Sequence, residues 1–460
     1  MTQATARSRA QTEASGERSG RSSRHRALTL LMLLAAAACY LAVVTARHGP
    51  TPGWDTGPLT AVTTELSTGD LRAAASNSSL PNPPGYALLA SPFVVALRPV
   101  IGSPVWCTTG NPSAPRHAGP KAVRSPAPAG GTGDCGQPAA LGRGTAGSPP
   151  PPWYHSQGML GVLGWLVLAV GALALLRAAG ADSLGRTAGL LVFLAFLPAA
   201  SSAIVQLYHP QDIVSLGLAL AGLAQVLRCR WVLAGLLFGV AFLTKQFAIL
   251  VLLPALAAAP DRKSRLAIVT PAAAVFAAGL LPFLVSAPRA TFDNFSGISG
   301  GGALAGATVL TELGVTGSVG SAVARDAPVV FAVVVCLWAR RRIGLDLARP
   351  VCLVALALAC VGSRLVFESV LFPYYLLGTS VIFFLLDLVA RRSPHRSLAW
   401  SAAAAFFVAL RPANRALDAV VTLVLAVLGV LSGLAELRVV RRQPISQPPS
   451  LVPTLADDPS

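Results

Sequence analysis

The chain has 460 residues, of which 53% are hydrophobic and only 12% are charged. Soluble globular domains carry roughly 25% charged residues, so this composition excludes a large soluble domain and indicates a protein that folds within the bilayer. The formal net charge is +17. The basic residues lie between apolar runs rather than along one face, so we interpret them as determinants of membrane topology and expect no nucleic-acid partner.

Residues 1–26 are rich in arginine, serine and threonine and are predicted to be a disordered cytoplasmic tail. Apolar runs follow that are long enough to cross a hydrocarbon core of about 30 Å as helices. They lack the alternation of barrel strands, so we predict an all-α, polytopic membrane domain over residues 27–437 and a disordered cytoplasmic tail over 438–460. The twelve predicted spans begin near Ala27, Gly158, Leu184, Asp212, Trp231, Gln246, Leu266, Ala327, Pro350, Tyr374, Leu398 and Ala416.

Every second connector between these spans is short and basic, which is the positive-inside pattern. The pattern places both termini in the cytoplasm. Arg411 and Arg415 are an exception, because they fall in a predicted outer turn. The six predicted cytoplasmic segments are Arg177 to Arg186, Arg228 to Arg230, Asp261 to Arg265, Arg340 to Arg349, Arg391 to Arg396 and Arg438 to Arg442.

The predicted outer face carries the long connectors. The first outer loop runs from about Arg47 to Gln157, and its part 103–152 is dense in proline and glycine, which indicates a flexible insertion. Gly85 to Gly102 is apolar, but counting it as a further span would place all later basic loops outside the cell. We therefore expect an interfacial or re-entrant helix there. Cys107 and Cys135 share this loop, and both a disulfide and two free thiols fit the sequence. Long outer loops place the working face outside.

Few ionisable residues lie near the predicted outer ends of the helices, so each is a candidate functional group. Asp55 follows the first helix and is either a turn residue or a general base. His209 and Asp212 lie at another outer turn, where Asp212 either caps the next helix or contacts a substrate. Lys245 interrupts an apolar stretch too long for one span, and it either snorkels to the surface or binds an anion.

A further group of candidates lies late in the chain. Arg364 and Glu368 are four residues apart on one helical face, which predicts an ion pair. Tyr374 and Tyr375 follow and are either interfacial aromatics or part of a binding site. An arginine beside aromatics also suits a lipid-linked phosphate, which a guanidinium binds with two parallel hydrogen bonds.

These motifs resemble, in order, the GT-C superfamily of membrane glycosyltransferases, and most closely the bacterial mannosyltransferase-like members of glycosyltransferase family 87. The matching features are an aspartate after the first helix (Asp55), a Pro-Pro-Gly-Tyr segment (83–86), the pattern AGLLFGVAFLTKQ (234–246) and an Arg-Leu-Val-Phe-Glu segment before a tyrosine pair (364–375). The resemblance covers roughly residues 27–436. Many relatives carry two close acidic residues in the first loop, whereas here Asp55 is followed only by the more distant Glu65 and Asp70.

The resemblance implies an inverting transfer of a mannosyl or other hexosyl unit from a polyprenyl-phosphate donor to a lipid or glycan acceptor of the cell envelope, at the outer face of a bacterial plasma membrane. Asp55 would act as the general base, and Lys245 and Arg364 would stabilise the leaving phosphate. His209, Asp212 and Glu368 would orient sugar hydroxyls, beside Tyr374 and Tyr375. The resemblance establishes no cofactor, and the missing acidic pair leaves the participation of Mg²⁺ or Mn²⁺ open.

Two other classes of protein fit part of the sequence. A transporter or lipid-linked-sugar flippase would also use many helices and a face that accepts lipid phosphate. We see no internal repeat of the kind that transporters show, and the ionisable groups lie near helix ends rather than at the predicted midplane. A catalytically inactive membrane scaffold is the third class. Convergence of Asp55, Lys245 and Arg364 on one outward cavity is the geometric feature that favours an enzyme over a scaffold.

Overall fold

The protein, described here from a computed structural model, is helical wherever its structure is defined. The structure describes residues 29, 31–43, 62–63, 65–76, 84–101, 152–206, 209–296, 308–315, 317–368, 371–410 and 415–442. No β-strand occurs in these ranges, which confirms the all-α prediction for them. The predicted N-terminal tail, the insertion 103–152 and Cys107 and Cys135 within it lie outside them, apart from Pro152, which begins a helix.

The helices are numbered in chain order. They are α1 (Leu31–Val43), α2 (Leu71–Ser76), α3 (Gly85–Ile101), α4 (Pro152–Ala178), α5 (Leu184–Phe196), α6 (Pro198–Ser201), α7 (Pro210–Leu227), α8 (Trp231–Thr244), α9 (Ile249–Ala258), α10 (Arg262–Ser286), α11 (Pro288–Ser296), α12 (Val309–Glu312), α13 (Gly317–Ile343), α14 (Pro350–Phe367), α15 (Leu376–Val389), α16 (His395–Leu410) and α17 (Arg415–Arg442). A π-helical turn (Ser202–Gln206) continues α6, and short 3₁₀ turns precede α9, α14 and α15.

Six of the described helices are long and apolar enough to cross a membrane, so this is a membrane protein. These spans are Met159–Ala178, Pro210–Leu227, Arg262–Ser286, Ala322–Ile343, Pro350–Phe367 and Ala416–Val440. Leu184–Phe196 and Pro198–Ile204 are together long and apolar enough to cross a membrane, but the pair is bent by 48°. It is a seventh candidate if the two helices form one broken span. The bend follows from Pro198, which has no N–H to donate to the preceding turn.

Length and composition identify six or seven candidate spans among the described helices, fewer than the twelve predicted. Helices cover the predicted starts from Gly158 onward, and α1 follows Ala27 closely. Several of them are short, however: α8 has 14 residues and α9 has 10. At 1.5 Å per residue these correspond to about 21 Å and about 15 Å, less than the thickness of a hydrocarbon core. Twelve spans therefore stay a prediction, as does the orientation of the termini.

The centre of the bundle is formed by α7 and α14, which are the most buried of the candidate spans. Helix α7 packs against α4 and α8, and α14 packs against α17, α13 and α15. The contact of α7 with α4 is close because glycines face the partner backbone. A Cβ atom on Gly217 would lie 2.6 Å from the Leu168 nitrogen, and one on Gly171 would lie 2.0 Å from the Gly217 carbonyl oxygen. Small residues allow this approach between membrane helices, where packing drives association.

Several basic connectors meet at one end of the bundle. Arg340, near the end of α13, donates hydrogen bonds to the carbonyl oxygens of Ala257 (3.1 Å) and Pro260 (2.8 Å). Asp261 caps the start of α10, and the hydrogen bond from the Ser264 backbone N–H holds the pKa of its carboxyl below the ordinary value. The connectors 261–265 and 340–349, which the arginine pattern predicts on the same side, are thus neighbours.

A second ionic network ties the last three helices together. Arg396 donates to Asp387 at 2.6 Å, and both Arg396 and Arg392 pair with Glu436. The side chain of Asp387 is fully buried, and it also accepts a hydrogen bond from the Ser397 backbone N–H. The network thus joins the predicted connector Arg391 to Arg396 to Glu436 of α17, just before the segment Arg438 to Arg442. The arginine pattern predicts both segments on the same side of the membrane. Helix α17 continues to Arg442, so residues 438–442 of the predicted disordered tail are helical, and Leu437 packs in the core.

Replacing Gly217 by alanine should destabilise the protein. The added methyl group meets backbone atoms of α4 that cannot move aside, and overpacking of this kind costs about 1–3 kcal/mol. Thermal unfolding of the purified protein in detergent measures the effect as a lower melting temperature. The matched control is Gly189→Ala, on the exposed side of α5 with open space around the position, which should be neutral or stabilising. Equal melting temperatures for the two variants would contradict the close packing of α4 and α7.

Candidate functional site

The charged candidates centre on the carboxylate of Asp212. Helix α7 begins at Pro210, whose fixed φ suits the first helical position, and Asp212 follows in the first turn. Its side chain is only 4% exposed. The position is favourable for an anion because the first backbone N–H groups of a helix point towards it. A carboxylate this deeply buried still requires cationic or hydrogen-bonding partners.

Three basic side chains supply those partners. Lys245 Nζ lies 3.6 Å from Asp212 Oδ2, Arg364 Nη1 lies 3.6 Å from Oδ1, and His209 Nδ1 lies 3.2 Å from Oδ2. The residues come from the start of α7, the segment after α8 and the last turn of α14. Segments distant in the chain therefore meet at one carboxylate. Charged groups within apolar helices are costly, so such a cluster is a candidate functional site in a membrane protein.

Lys245 reaches Asp212 because the helix breaks at this residue. Helix α8 ends at Thr244, Lys245 is extended (φ −156°, ψ 133°), and a 3₁₀ turn over 246–248 leads into α9. The break lies where the sequence predicts a turn. Ser215 of α7 donates a hydrogen bond to the Ala241 carbonyl oxygen at 2.9 Å, which fixes the end of α8 against α7.

Arg364 is held by a carboxylate and by aromatic rings. Its Nε donates to Glu368 Oε1 at 2.6 Å, which is the ion pair that the four-residue spacing predicts. The guanidinium carbon lies 4.1 Å from the ring centroid of Tyr375 and 5.2 Å from that of Phe247. Contacts of a cation with aromatic faces stabilise it where water is scarce. The arginine is therefore fixed in orientation from several sides.

The aromatic side of the site continues to His209. The imidazole stacks on the ring of Tyr374 with a centroid distance of 4.1 Å. Tyr374 in turn meets Tyr375 edge to face at 4.8 Å. Both tyrosines lie in the 3₁₀ turn that begins at Pro373, before α15. The stack connects the imidazole at one side of Asp212 with the arginine at the other.

Seven of the eight residues predicted from the sequence lie in this cluster. They are His209, Asp212, Lys245, Arg364, Glu368, Tyr374 and Tyr375. The eighth, Asp55, lies outside the described residues. In the described part of the chain no three His, Cys, Asp or Glu side chains are grouped closely enough to hold a metal ion. Lys245 and Arg364 are groups of the kind that bind anions, and here they are paired with the carboxylates of Asp212 and Glu368.

The sequence reasoning missed three residues of the cluster: Gln211, Ser215 and Phe247. Gln211 is buried, and its Nε2 lies 2.6 Å from His209 Nδ1. These residues carry no charge, so a search for ionisable groups passes over them. The available signal was position, because Gln211 stands between His209 and Asp212 and Phe247 lies two residues after Lys245.

The fold and the site together define a helical membrane protein with a buried, mixed-charge cluster lined by aromatic rings. No protein-family model matches the chain, and neither a curated protein nor a solved structure matches it.

Replacing Asp212 by asparagine should lower the stability of the fold. The change leaves Lys245 and Arg364 near a neutral amide, and removing one partner of a buried ionic group costs on the order of 3 kcal/mol. The control is Asp326→Asn, which removes a carboxylate that is 61% exposed and pairs only with its neighbour Arg325 among the described contacts. Thermal unfolding in detergent should show a clearly lower melting temperature for Asp212→Asn alone. Equal effects would mean that Asp212 does not organise the cluster.

Proposed function

We propose that the protein is a multi-pass membrane glycosyltransferase that moves a hexosyl unit, mannosyl by resemblance, from a polyprenyl-phosphate donor to a lipid or glycan acceptor of the cell envelope. The observation that carries this proposal is the convergence of Lys245, in the break after α8, and Arg364, in the last turn of α14, at one buried site. A polyprenyl phosphate presents an anionic group at the edge of the hydrocarbon region. Two cations fixed within apolar helices are the groups that bind such an anion.

The proposed topology has twelve spans, with both termini in the cytoplasm of a bacterial cell and the site towards the outer face of the plasma membrane. Along α7, Asp212 lies about 24 Å from Arg228, and along α14, Arg364 lies about 22 Å from Arg349. If these arginines mark the cytoplasmic boundary, the cluster lies in the outer third of a core of about 30 Å. This depth suits the phosphate of a lipid whose prenyl chain lies in the bilayer.

The proposed reaction joins an acceptor oxygen to the anomeric carbon of the donor sugar. Asp55 takes the proton of the acceptor hydroxyl, and the bond from the anomeric carbon to the phosphate oxygen breaks. The charge that develops on the leaving phosphate is stabilised by Arg364 and Lys245, which are already oriented by their contacts. One displacement without a protein nucleophile inverts the anomeric carbon. His209, Asp212 and Glu368 lie close enough to the cations to orient sugar hydroxyls.

A transporter or flippase for lipid-linked sugars is the second candidate. The observation that favours it is that Lys245 lies at a helix break within the bundle, and transporters often build their binding sites from interrupted helices. Such a protein would bind the same lipid phosphate but leave the bond between sugar and phosphate intact. Transfer of the sugar to a new acceptor therefore distinguishes the glycosyltransferase from the flippase.

Sugar transfer should require Asp55 and Arg364. Membranes that contain the protein are incubated with radiolabelled polyprenyl-phosphate-mannose and an extract of cell-envelope acceptors. Losing a group that stabilises developing charge costs about 10²–10³ in rate, so Arg364→Gln should reduce transfer by about 100-fold or more. Asp55→Asn should abolish it. The control Arg325→Gln removes an exposed arginine and should keep wild-type transfer.

Full transfer by a well-folded Asp55→Asn variant would remove Asp55 from the mechanism. An absence of transfer by the wild type with mannose and with other polyprenyl-linked hexoses, together with movement of the intact lipid across vesicles, would establish the flippase instead.

The proposed topology predicts that Cys229 faces the cytoplasm. It is exposed in the turn between α7 and α8, flanked by Arg228 and Arg230. In a variant that retains Cys229 as its single cysteine, a thiol reagent that does not cross membranes should label inverted vesicles but not intact spheroplasts. The same variant with Cys229→Ser should stay unlabelled in both. Labelling from the outside would contradict the orientation of the whole bundle.

A further inference from the structure

Gln211 has an unmet hydrogen-bonding group inside the cluster. The residue is 4% exposed, and its Oε1 is buried without a hydrogen-bond partner among the described residues. A buried acceptor that has lost water and gained no partner destabilises a folded protein. Native structures retain such atoms rarely, and at binding sites a ligand can supply the missing partner.

The contact with His209 does not resolve this. His209 Nδ1 lies 3.2 Å from Asp212 Oδ2, a contact that requires a proton on Nδ1, and 2.6 Å from the Gln211 amide nitrogen, a contact that requires a bare Nδ1. The oxygen and nitrogen of an amide are assigned from the hydrogen-bond network, so the Gln211 amide can be reversed. Its oxygen then accepts a hydrogen bond from the Nδ1 proton, which Asp212 Oδ2 also accepts. The other end of the amide, which is Oε1 in the orientation shown, has no hydrogen-bond partner among the described residues.

The Gln211 amide is linked to Lys245 through His209 and Asp212, because His209 Nδ1 lies 2.6 Å from Gln211 Nε2 and 3.2 Å from Asp212 Oδ2, and Lys245 Nζ lies 3.6 Å from the same oxygen. Gln211 adjoins Asp212 in the first turn of α7, and Asp212 contacts both Lys245 and Arg364. A group bonded directly to a phosphate held by these cations would therefore lie near the Gln211 amide. In the donor proposed above, that group is a sugar.

We propose that Gln211 is a specificity-determining residue whose buried amide hydrogen-bonds a hydroxyl of the sugar carried by the lipid phosphate. The inference rests on the proposed function. A hydroxyl group can both donate and accept, so it satisfies the amide in either orientation. The amide binds the sugar and not the phosphate, so its contribution is confined to ligands that carry the sugar.

The test compares two ligands on the purified full-length protein in lipid nanodiscs. One is polyprenyl-phosphate-mannose, and the other is polyprenyl phosphate, which lacks the sugar. Gln211→Leu should weaken binding of the sugar-bearing lipid by about tenfold or more, since a site that hydrogen-bonds a hydroxyl loses affinity when the pair is broken. Binding of polyprenyl phosphate should stay within about twofold of wild type. Gln211→Met, a second apolar variant of similar length, should behave alike if the leucine variant folds poorly.

Helix α7 offers a matched control. Gln225 is also buried and also has an Oε1 atom without a hydrogen-bond partner in the described ranges, but it lies near the opposite end of the helix. Gln225→Leu should change the affinity of neither ligand. If Gln211 had a purely structural role, Gln211→Leu would lower the melting temperature more than Gln225→Leu does. We expect a melting temperature no lower than that of Gln225→Leu.

The outcomes separate this inference from the proposed function. If the wild type binds both lipids and Gln211→Leu weakens both equally or neither, Gln211 does not recognise the sugar, and the inference is overturned while the phosphate site stands. If the wild type binds neither lipid, nor donors with other hexoses, the proposed function fails and the inference fails with it. Loss confined to the sugar-bearing lipid supports the inference and the phosphate site on which it rests.

Discussion

A carboxylate buried between apolar helices needs cations, and the arrangement of this protein around Asp212 meets that requirement. Lys245 and Arg364 both lie 3.6 Å from its oxygens. Isolated, each of the three charges would be costly at this depth, whereas together they offset one another. The break after α8 and the orientation of the last turn of α14 both serve to bring the cations to α7. The ion cluster thus couples the path of the backbone to the chemistry of the site.

The two ends of the bundle use charge differently. At the end marked by the basic connectors, Arg392 and Arg396 keep 40% and 36% of their side chains exposed while they pair with buried Asp387 and Glu436, an arrangement that fixes neighbouring helices. At the other end the cations themselves are largely enclosed, with Arg364 only 13% exposed and placed between aromatic rings. Enclosed cations interact strongly with an anion because little water screens them. The first group fixes neighbouring helices, and the second is the one for which we propose a ligand.

The sequence predicts local features well and the assembly of the site less completely. The break at Lys245 follows from an apolar stretch too long for one helix, and the Arg364–Glu368 pair follows from the spacing of the helix. The contact of both cations with Asp212 depends on how distant helices pack, which no local pattern encodes. Gln211 was missed because its role depends on burial rather than charge. The apolar runs predict twelve spans, but several of the helices in those runs are shorter than a hydrocarbon core is thick.

If Lys245 and Arg364 form the phosphate site of a lipid-linked sugar donor, a structure of the full-length protein in nanodiscs with bound polyprenyl phosphate should show it. Phosphate oxygens are expected within hydrogen-bonding distance of Lys245 Nζ and of the Arg364 guanidinium, with the prenyl chain leaving the site between helices towards the lipid. A phosphate bound elsewhere, with Lys245 and Arg364 still paired only with Asp212 and Glu368, would contradict the proposed phosphate site.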